Sequence, residues 1–164
     1  MSIKQYDSIV IGSGPAGEGA SMKLAKCGQN VAVIEHYKDV GGGCTHWGTI
    51  PSKSLRHSVQ MVSRFRSDPI FRRRVGHIDV TWQELVKSAQ SVIDDQVKMR
   101  EEFYFRNRVD LYRGSASFTD PNTLQIQLKN GSQETVRAEN IIICLLYTSP
   151  SPRDLSTSRM PSSA

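Results

Sequence analysis

The chain has 164 residues, 38% of them hydrophobic, and 21 lysines and arginines against 16 acidic residues give a formal net charge of +5. That length suits one ordinary domain and falls short of the two or three that many cofactor enzymes need, and no apolar run approaches the roughly 20 residues that cross a bilayer. The positive balance does not make a nucleic-acid surface: apart from FRRR at 71–74 and the pair Arg64 and Arg66, basic residues are scattered, without aromatic-basic interleaving.

YDSIVIG at 6–12 is a short β-branched run ending in glycine, which predicts a buried parallel strand. PAGEGASMKLAKCG predicts a helix with Ala16, Ala20, Leu24 and Cys27 on one face and Gly28 as its stop. NVAVIE at 30–35 predicts a second buried strand, completing a βαβ unit. Beyond a glycine-rich loop, SKSLRHSVQMVSRF predicts a helix and DVTWQELVKSAQSVIDDQVKMREEFYFRN a longer one, with Thr81 and Glu84 as a capping box. From Val109 the period changes to alternation through VDLYRG, ASFTD, TLQIQLKNG, ETVRAE and NIIIC, with Asn130-Gly131 as a hairpin turn. NIIIC predicts a strand returning to the parallel sheet. Residues 145–164, LLYTSPSPRDLSTSRMPSSA, are rich in Ser, Pro, Thr and Arg without a period and predict a disordered tail behind a domain at 1–144. The predicted fold class is α/β, a Rossmann-like parallel sheet with helices and a small antiparallel segment. The opening MSIKQYDSIVIGSG shows no basic leader, long apolar region or small-residue cleavage site, which predicts a cytoplasmic location.

GSGPAG, Gly12 to Gly17, stands between the first strand and the first helix, and Glu35 ends the second strand. Gly12 permits a tight turn, Gly14 lets backbone approach a pyrophosphate, and Gly17 lets helix pack on strand. The helix N-terminus offers unpaired N–H groups and a positive dipole end to the phosphates. Glu35 can accept from ribose hydroxyls and repels a 2′-phosphate. Because strand, helix, second strand and acid all fall in place, these residues predict dinucleotide binding, without choosing between FAD and NAD.

GGGCTHWGTIPSK at 41–53 follows, and here sulfur chemistry is the question. Cys27, Cys44 and Cys144 show no paired metal-ligand spacing, so they predict neither a metal site nor a disulfide framework. The segment resembles the flavin-side loop of the pyridine nucleotide-disulfide oxidoreductases, whose disulfide-reducing members carry two cysteines separated by four residues before an Ile-Pro-Ser-Lys stretch. Cys44 and Ile50-Pro51-Ser52-Lys53 are present, but Thr49 stands at the second cysteine's place. A dithiol relay needs one thiolate to attack and another to resolve, and a threonine hydroxyl does neither at neutral pH.

The longer stretch VIEHYKDVGGGCTHWGTIPSKSLRH, with EFYFRN and GSASFTD further on, is similar to the soluble, FAD-dependent pyridine nucleotide transhydrogenases of that family. The resemblance runs from about Tyr6 to Ile143. It implies FAD as cofactor, with NADPH and NAD as substrates of a full-length protein that assembles as a homo-oligomer. It implies that Gly12, Gly14 and Gly17 cradle the pyrophosphate, that Glu35 holds the ribose, that Gly43 and Cys44 line the flavin loop, and that Thr49 lies under the flavin. Lys53 then lies near flavin N5, and the backbone at Ala116 meets the adenine. Beyond Ile143 the family continues into a second nucleotide domain and a dimerisation domain. The expectation is therefore an N-terminal flavin-binding part, inactive alone, with 145–164 as a non-native end. Alternative expectations are a dihydrolipoamide dehydrogenase-like disulfide reductase, which Thr49 opposes, and a non-catalytic flavin-binding fragment. Each residue also has a plainer reading: Cys44 as a small hydrophobe, Lys53 as a solvated surface lysine, His46 and Trp47 as packing groups.

Overall fold

The computed structural model describes residues 3–75 and 79–145. Its elements, in chain order, are β1 (Lys4–Ile11), α1 (Pro15–Lys26), β2 (Val31–Glu35), α2 (Gly42–His46), α3 (Thr49–Ser67), α4 (Pro69–Val75), α5 (Trp82–Arg106), β3 (Asp110–Asp120), β4 (Thr123–Leu128) and β5 (Gln133–Ile143). The fold is mixed α/β, as the sequence predicts. The expected tail lies outside the described residues from position 146 onward.

The short apolar runs become parallel strands because they can be buried on both faces. β1 pairs with β2 from Ser8 opposite Val31 to Ile11 opposite Ile34, and with β5 from Lys4 opposite Val136 to Ile11 opposite Ile143. β2 pairs in turn with the first residues of β3, Ala32 opposite Asp110 to Glu35 opposite Arg113. Beyond Arg113, β3 leaves β2 and runs antiparallel to β4, which also pairs antiparallel with the start of β5. The five strands thereby close on themselves, with β4 bridging β3 and β5. VDLYRG and ASFTD form one strand that changes partner at Gly114, where a Cβ would run into the carbonyl of Gln127. ETVRAE and NIII are likewise one strand, β5. Asn130-Gly131 makes the expected turn, with Gly131 at φ 85°.

Two apolar layers result. Ile9, Ala32, Ile34 and Tyr112 of the parallel strands pack with Leu124, Ile126, Val136 and Ala138 of the antiparallel segment. Val10, Val31, Val33 and Val109 pack with Val40, with Tyr104 of α5 and with Ala20 and Leu24 of α1. Each fully buried aliphatic side chain contributes about 1.5–3 kcal/mol before conformational entropy is subtracted. These layers fix the C-terminal ends of β1 and β2, where the glycine turns lie.

The helices depart from the sequence reading in instructive ways. On α1 the buried positions are Gly17 and Ser21, while Ala16 and Cys27 are exposed. The buried stripe is rotated by one residue because Gly17 must lie against the Gly12 carbonyl, where a Cβ would collide. α3 starts at Thr49, earlier than predicted, and accommodates Pro51 because the first helical turn needs no intrahelical N–H donor. α5 begins with the predicted capping box: Thr81 Oγ1 accepts from the Glu84 N–H, and Glu84 Oε2 accepts from the Thr81 N–H at 2.8 Å. Two short helices, α2 and α4, carry no clear sequence signal, and FRRR lies on α4. No helix among the described residues is long and apolar enough to cross a membrane.

Candidate functional site

β1 ends at Ile11, and the Gly12 N–H donates to the Ile34 carbonyl at 2.8 Å, tying the turn to the end of β2. Gly12 has φ 98°, and a Cβ there would meet the Cys144 carbonyl oxygen at 2.9 Å, so both conformation and space require glycine. Gly14 then caps α1, with Pro15 as the first helical residue. No side chain caps this end, which leaves first-turn N–H groups and the positive end of the dipole for an anion. Glu18, in the same turn, is turned aside into a 2.9 Å ion pair with Arg100 of α5, itself held by Gln96 Oε1 at 2.8 Å.

The second glycine stretch closes over the first. Gly41 has φ 114° and Gly42 φ 61°, and a Cβ on Gly42 would meet the Gly14 Cα at 2.7 Å. Backbone therefore faces backbone across the helix N-terminus, a cradle that side chains would fill. α2 carries Gly43 and Cys44, the latter half-buried, before Trp47 and Gly48. The Trp47 and Gly48 N–H groups donate to the Gly43 carbonyl at 3.0 and 2.8 Å. Thr45 is fully buried against Gly41, and its Oγ1 has no hydrogen-bond partner, an unmet polar atom in the wall of the loop.

Glu35 sits at the junction of these parts and is only 8% exposed. Its Oε2 accepts from the backbone N–H of Ser13 at 2.9 Å and from the Ser13 hydroxyl, while Oε1 accepts from the Tyr37 N–H at 2.8 Å. A carboxylate has about four acceptor positions, so one is left for a ligand hydroxyl. The Tyr37 ring packs tilted against His46 and edge-on against Trp47, with ring centroids 4.8 Å away in each case. His46 Nε2 lies 3.0 Å from the Val40 carbonyl oxygen, where its N–H donates. A cleft of about 500 Å³ opens beside this aromatic group, against the Asp94–Lys98 face of α5.

Thr49 and Lys53 lie one helical turn apart on α3, on one face, and both are exposed. Lys53 makes no ion pair among the described residues. Ala116 lies on β3 past the end of β2, next to Ser115, whose hydroxyl is 2.8 Å from His36 Nδ1. The three cysteines sit on separate parts of the chain and are all free. The structure thus gathers Gly12, Gly14, Gly17 and Glu35 with Gly43 and Cys44 around one end of the sheet. Thr49 and Lys53 follow on the next helix, and Ala116 lies on the adjoining strand.

Sequence reasoning missed Ser13, Tyr37, Thr45 and the His36–Ser115 pair. Ser13 had one available signal, a polar residue between two turn glycines directly after a buried strand. Tyr37 and Thr45 depend on how the glycine loop folds back on itself, and the His36–Ser115 pair on a contact between distant segments. Together, the glycine cradle, the uncapped helix end, the acid and the unmet Thr45 hydroxyl fit a diphosphate-bearing cofactor.

The chain spans about 30% of the length of the curated relatives it matches. It is 49% identical over 138 residues to a soluble pyridine nucleotide transhydrogenase of Yersinia enterocolitica, covering 84% of this chain and 30% of that protein. A namesake from Serratia proteamaculans is 49% identical over 139 residues, 85% of this chain and 30% of its own. In fold it resembles the HOCl-induced flavoprotein disulfide reductase RclA from Escherichia coli, solved as a Cu(II) complex, with a TM-score of 0.73 at 22% identity over 92% of this chain and 30% of that one. Residues 6–150 match the family described as pyridine nucleotide-disulphide oxidoreductase. With its glycine turn, Glu35 and second glycine loop all inside that match, the chain belongs to the pyridine nucleotide-disulphide oxidoreductase family.

Proposed function

We propose that the chain is the FAD-binding part of a soluble pyridine nucleotide transhydrogenase, a cytoplasmic protein that moves reducing equivalents from NADPH to NAD and works as a homo-oligomer at full length. The observation that carries this reading is Thr49, the first residue of α3, standing where disulfide-reducing members of the family carry their second cysteine, in a segment that resembles the family's flavin-side loop. The 49% identity to relatives named as transhydrogenases supports it.

When bound, FAD supplies a two-electron carrier between the two nicotinamides. The chain's own residues bind, orient and shield. The backbone at Gly12, Gly14 and Gly17 holds the pyrophosphate, assisted by the α1 N-terminus. Glu35 accepts from a ribose hydroxyl through its remaining acceptor position, and its negative charge disfavours a phosphate there. Gly43 and Cys44 line the loop, and the Ala116 backbone borders the adenine. Lys53 places a cation where negative charge develops. Thr49 leaves Cys44 without a resolving partner, so thiol exchange plays no part. The proposed partners are NADPH and NAD; neither nucleic acid nor membrane has a place in this reading.

The test compares purified full-length protein and this chain. The full-length protein is expected to carry flavin absorbance and to reduce an NAD analogue with NADPH, and this chain to do no more than bind flavin. Thiol-dependent disulfide reduction by the full-length protein, or flavin without nucleotide turnover, would overturn the reading.

A further inference from the structure

We propose that Ser13 is a positioning residue that locks the ribose-side acid and the flavin loop into one unit, so that occupancy at Glu35 is felt at Gly41. The proposal rests on the flavin-nucleotide reading above. Ser13 is completely buried. A hydroxyl has one donor and two acceptor lone pairs, and this one uses both roles: it donates to Glu35 Oε2 and accepts from the Gly41 N–H at 3.1 Å. Its backbone N–H adds a second bond to the same carboxylate oxygen at 2.9 Å.

Gly41 is the N-cap of α2 and immediately precedes Gly42, which abuts Gly14. One side chain therefore connects the phosphate turn, the acid and the N-cap of the Cys44 helix. The other carboxylate oxygen accepts from the Tyr37 N–H, and the Tyr37 ring packs on His46 and Trp47 at the far end of that helix. Both ends of the loop are thus tied to the two oxygens of one carboxylate. Bonds to an ionised acceptor are the strong kind, and their geometry carries information. A ribose hydroxyl that takes the last acceptor position of Glu35 pulls on the same group that fixes Gly41.

Amide hydrogen exchange on the ligand-free chain tests this without flavin, with the Val33 amide in the centre of the sheet as the fold control. Gly41 is expected to be protected in the wild type and to exchange about tenfold faster in Ser13→Ala, with Val33 unchanged. ADP, which carries the ribose but no flavin, is expected to slow Gly41 exchange further in the wild type and not in the variant. If Ser13→Ala loses Val33 protection, Ser13→Cys, with its weaker donor, takes its place and is expected to give an intermediate rate. A wild-type Gly41 amide that exchanges like open loop, or protection that survives loss of the hydroxyl, overturns the proposal. Failure of ADP to bind sinks the flavin-nucleotide reading instead, while the ligand-free exchange rates still decide the role of Ser13.

Discussion

Gly14 and Gly42 meet asymmetrically: a Cβ on Gly42 would lie 2.7 Å from the Gly14 Cα, whereas a Cβ on Gly14 would lie 3.9 Å from the Gly42 Cα. Gly42 also has a positive φ of 61°, while Gly14 has an ordinary φ of −65°. The two glycines therefore answer to different demands. Gly42→Ala is expected to destabilise the chain by about 2 kcal/mol through left-handed backbone strain and overpacking. Gly14→Ala fits the fold but intrudes on the cradle, so thermal denaturation should be unchanged while flavin titration shows about tenfold weaker binding, or about 1.4 kcal/mol. Equal melting losses in both variants would contradict this division.

In the ligand-free chain Gly17 answers to packing. A side chain there runs into the Gly12 carbonyl oxygen, with Val10 Cγ1 3.4 Å away. Gly17→Ala is expected to cost about 3 kcal/mol, read as a lower urea midpoint, because the clash is with the Gly12 backbone and cannot be relieved by a side-chain rotation. A change below about 0.5 kcal/mol, the range of neutral surface substitutions, would show that α1 can slide away from β1.

Lys53 is exposed and unpaired among the described residues, so Lys53→Met should leave the melting temperature unchanged. In the full-length protein, the proposed role predicts that the same change slows flavin reduction by NADPH about tenfold, since a cation beside the flavin would stabilise the negative charge that develops there. Stopped-flow absorbance measures the rate. A variant that melts lower but reduces its flavin normally would make Lys53 a structural residue.

The capping box predicts a pH effect confined to one helix end. Glu84 is held below its ordinary value of 4.5, first by the Thr81 N–H and then by the Thr81 hydroxyl. A carboxyl lowered by folding contributes stability above its unfolded value and loses it as pH falls through the folded one. The start of α5 should therefore loosen only below about pH 4.5, the ordinary value of the carboxyl. Carbon-detected NMR titration of Glu84 is expected to give a midpoint below 4.5 in the wild type and a return toward 4.5 in Thr81→Ala. A wild-type midpoint at or above 4.5 would remove the box.

What the sequence reveals follows the range of the physics. β1, β2, the Thr81 cap and the Asn130-Gly131 turn are written in adjacent residues, and each is present in the structure. α2 is not legible, because GGCTH has poor intrinsic helix propensity. It is held from outside by the bond between Gly41 and Ser13, and closed at its own C-terminal end by Trp47 and Gly48 donating to the Gly43 carbonyl. β3 and β5 read as fragments because each changes partner along its length. The glycines, Glu35 and Thr49 were visible as motif positions. The role of Ser13 was not, since it arises only when segments more than twenty residues apart meet, and that of Tyr37 depends on the loop folding back to bring His46 and Trp47 onto its ring.

The most direct test of the central claim, that this loop holds a flavin and performs no sulfur chemistry, is the transhydrogenase activity of the full-length protein carrying Cys44→Ser. Serine keeps the size and removes the thiolate. NADPH-driven reduction of an NAD analogue is expected to stay within about threefold of wild type, because nicotinamide–flavin chemistry needs no side-chain nucleophile. A loss of a hundredfold or more, with flavin still bound, would place Cys44 in the chemistry and contradict the account.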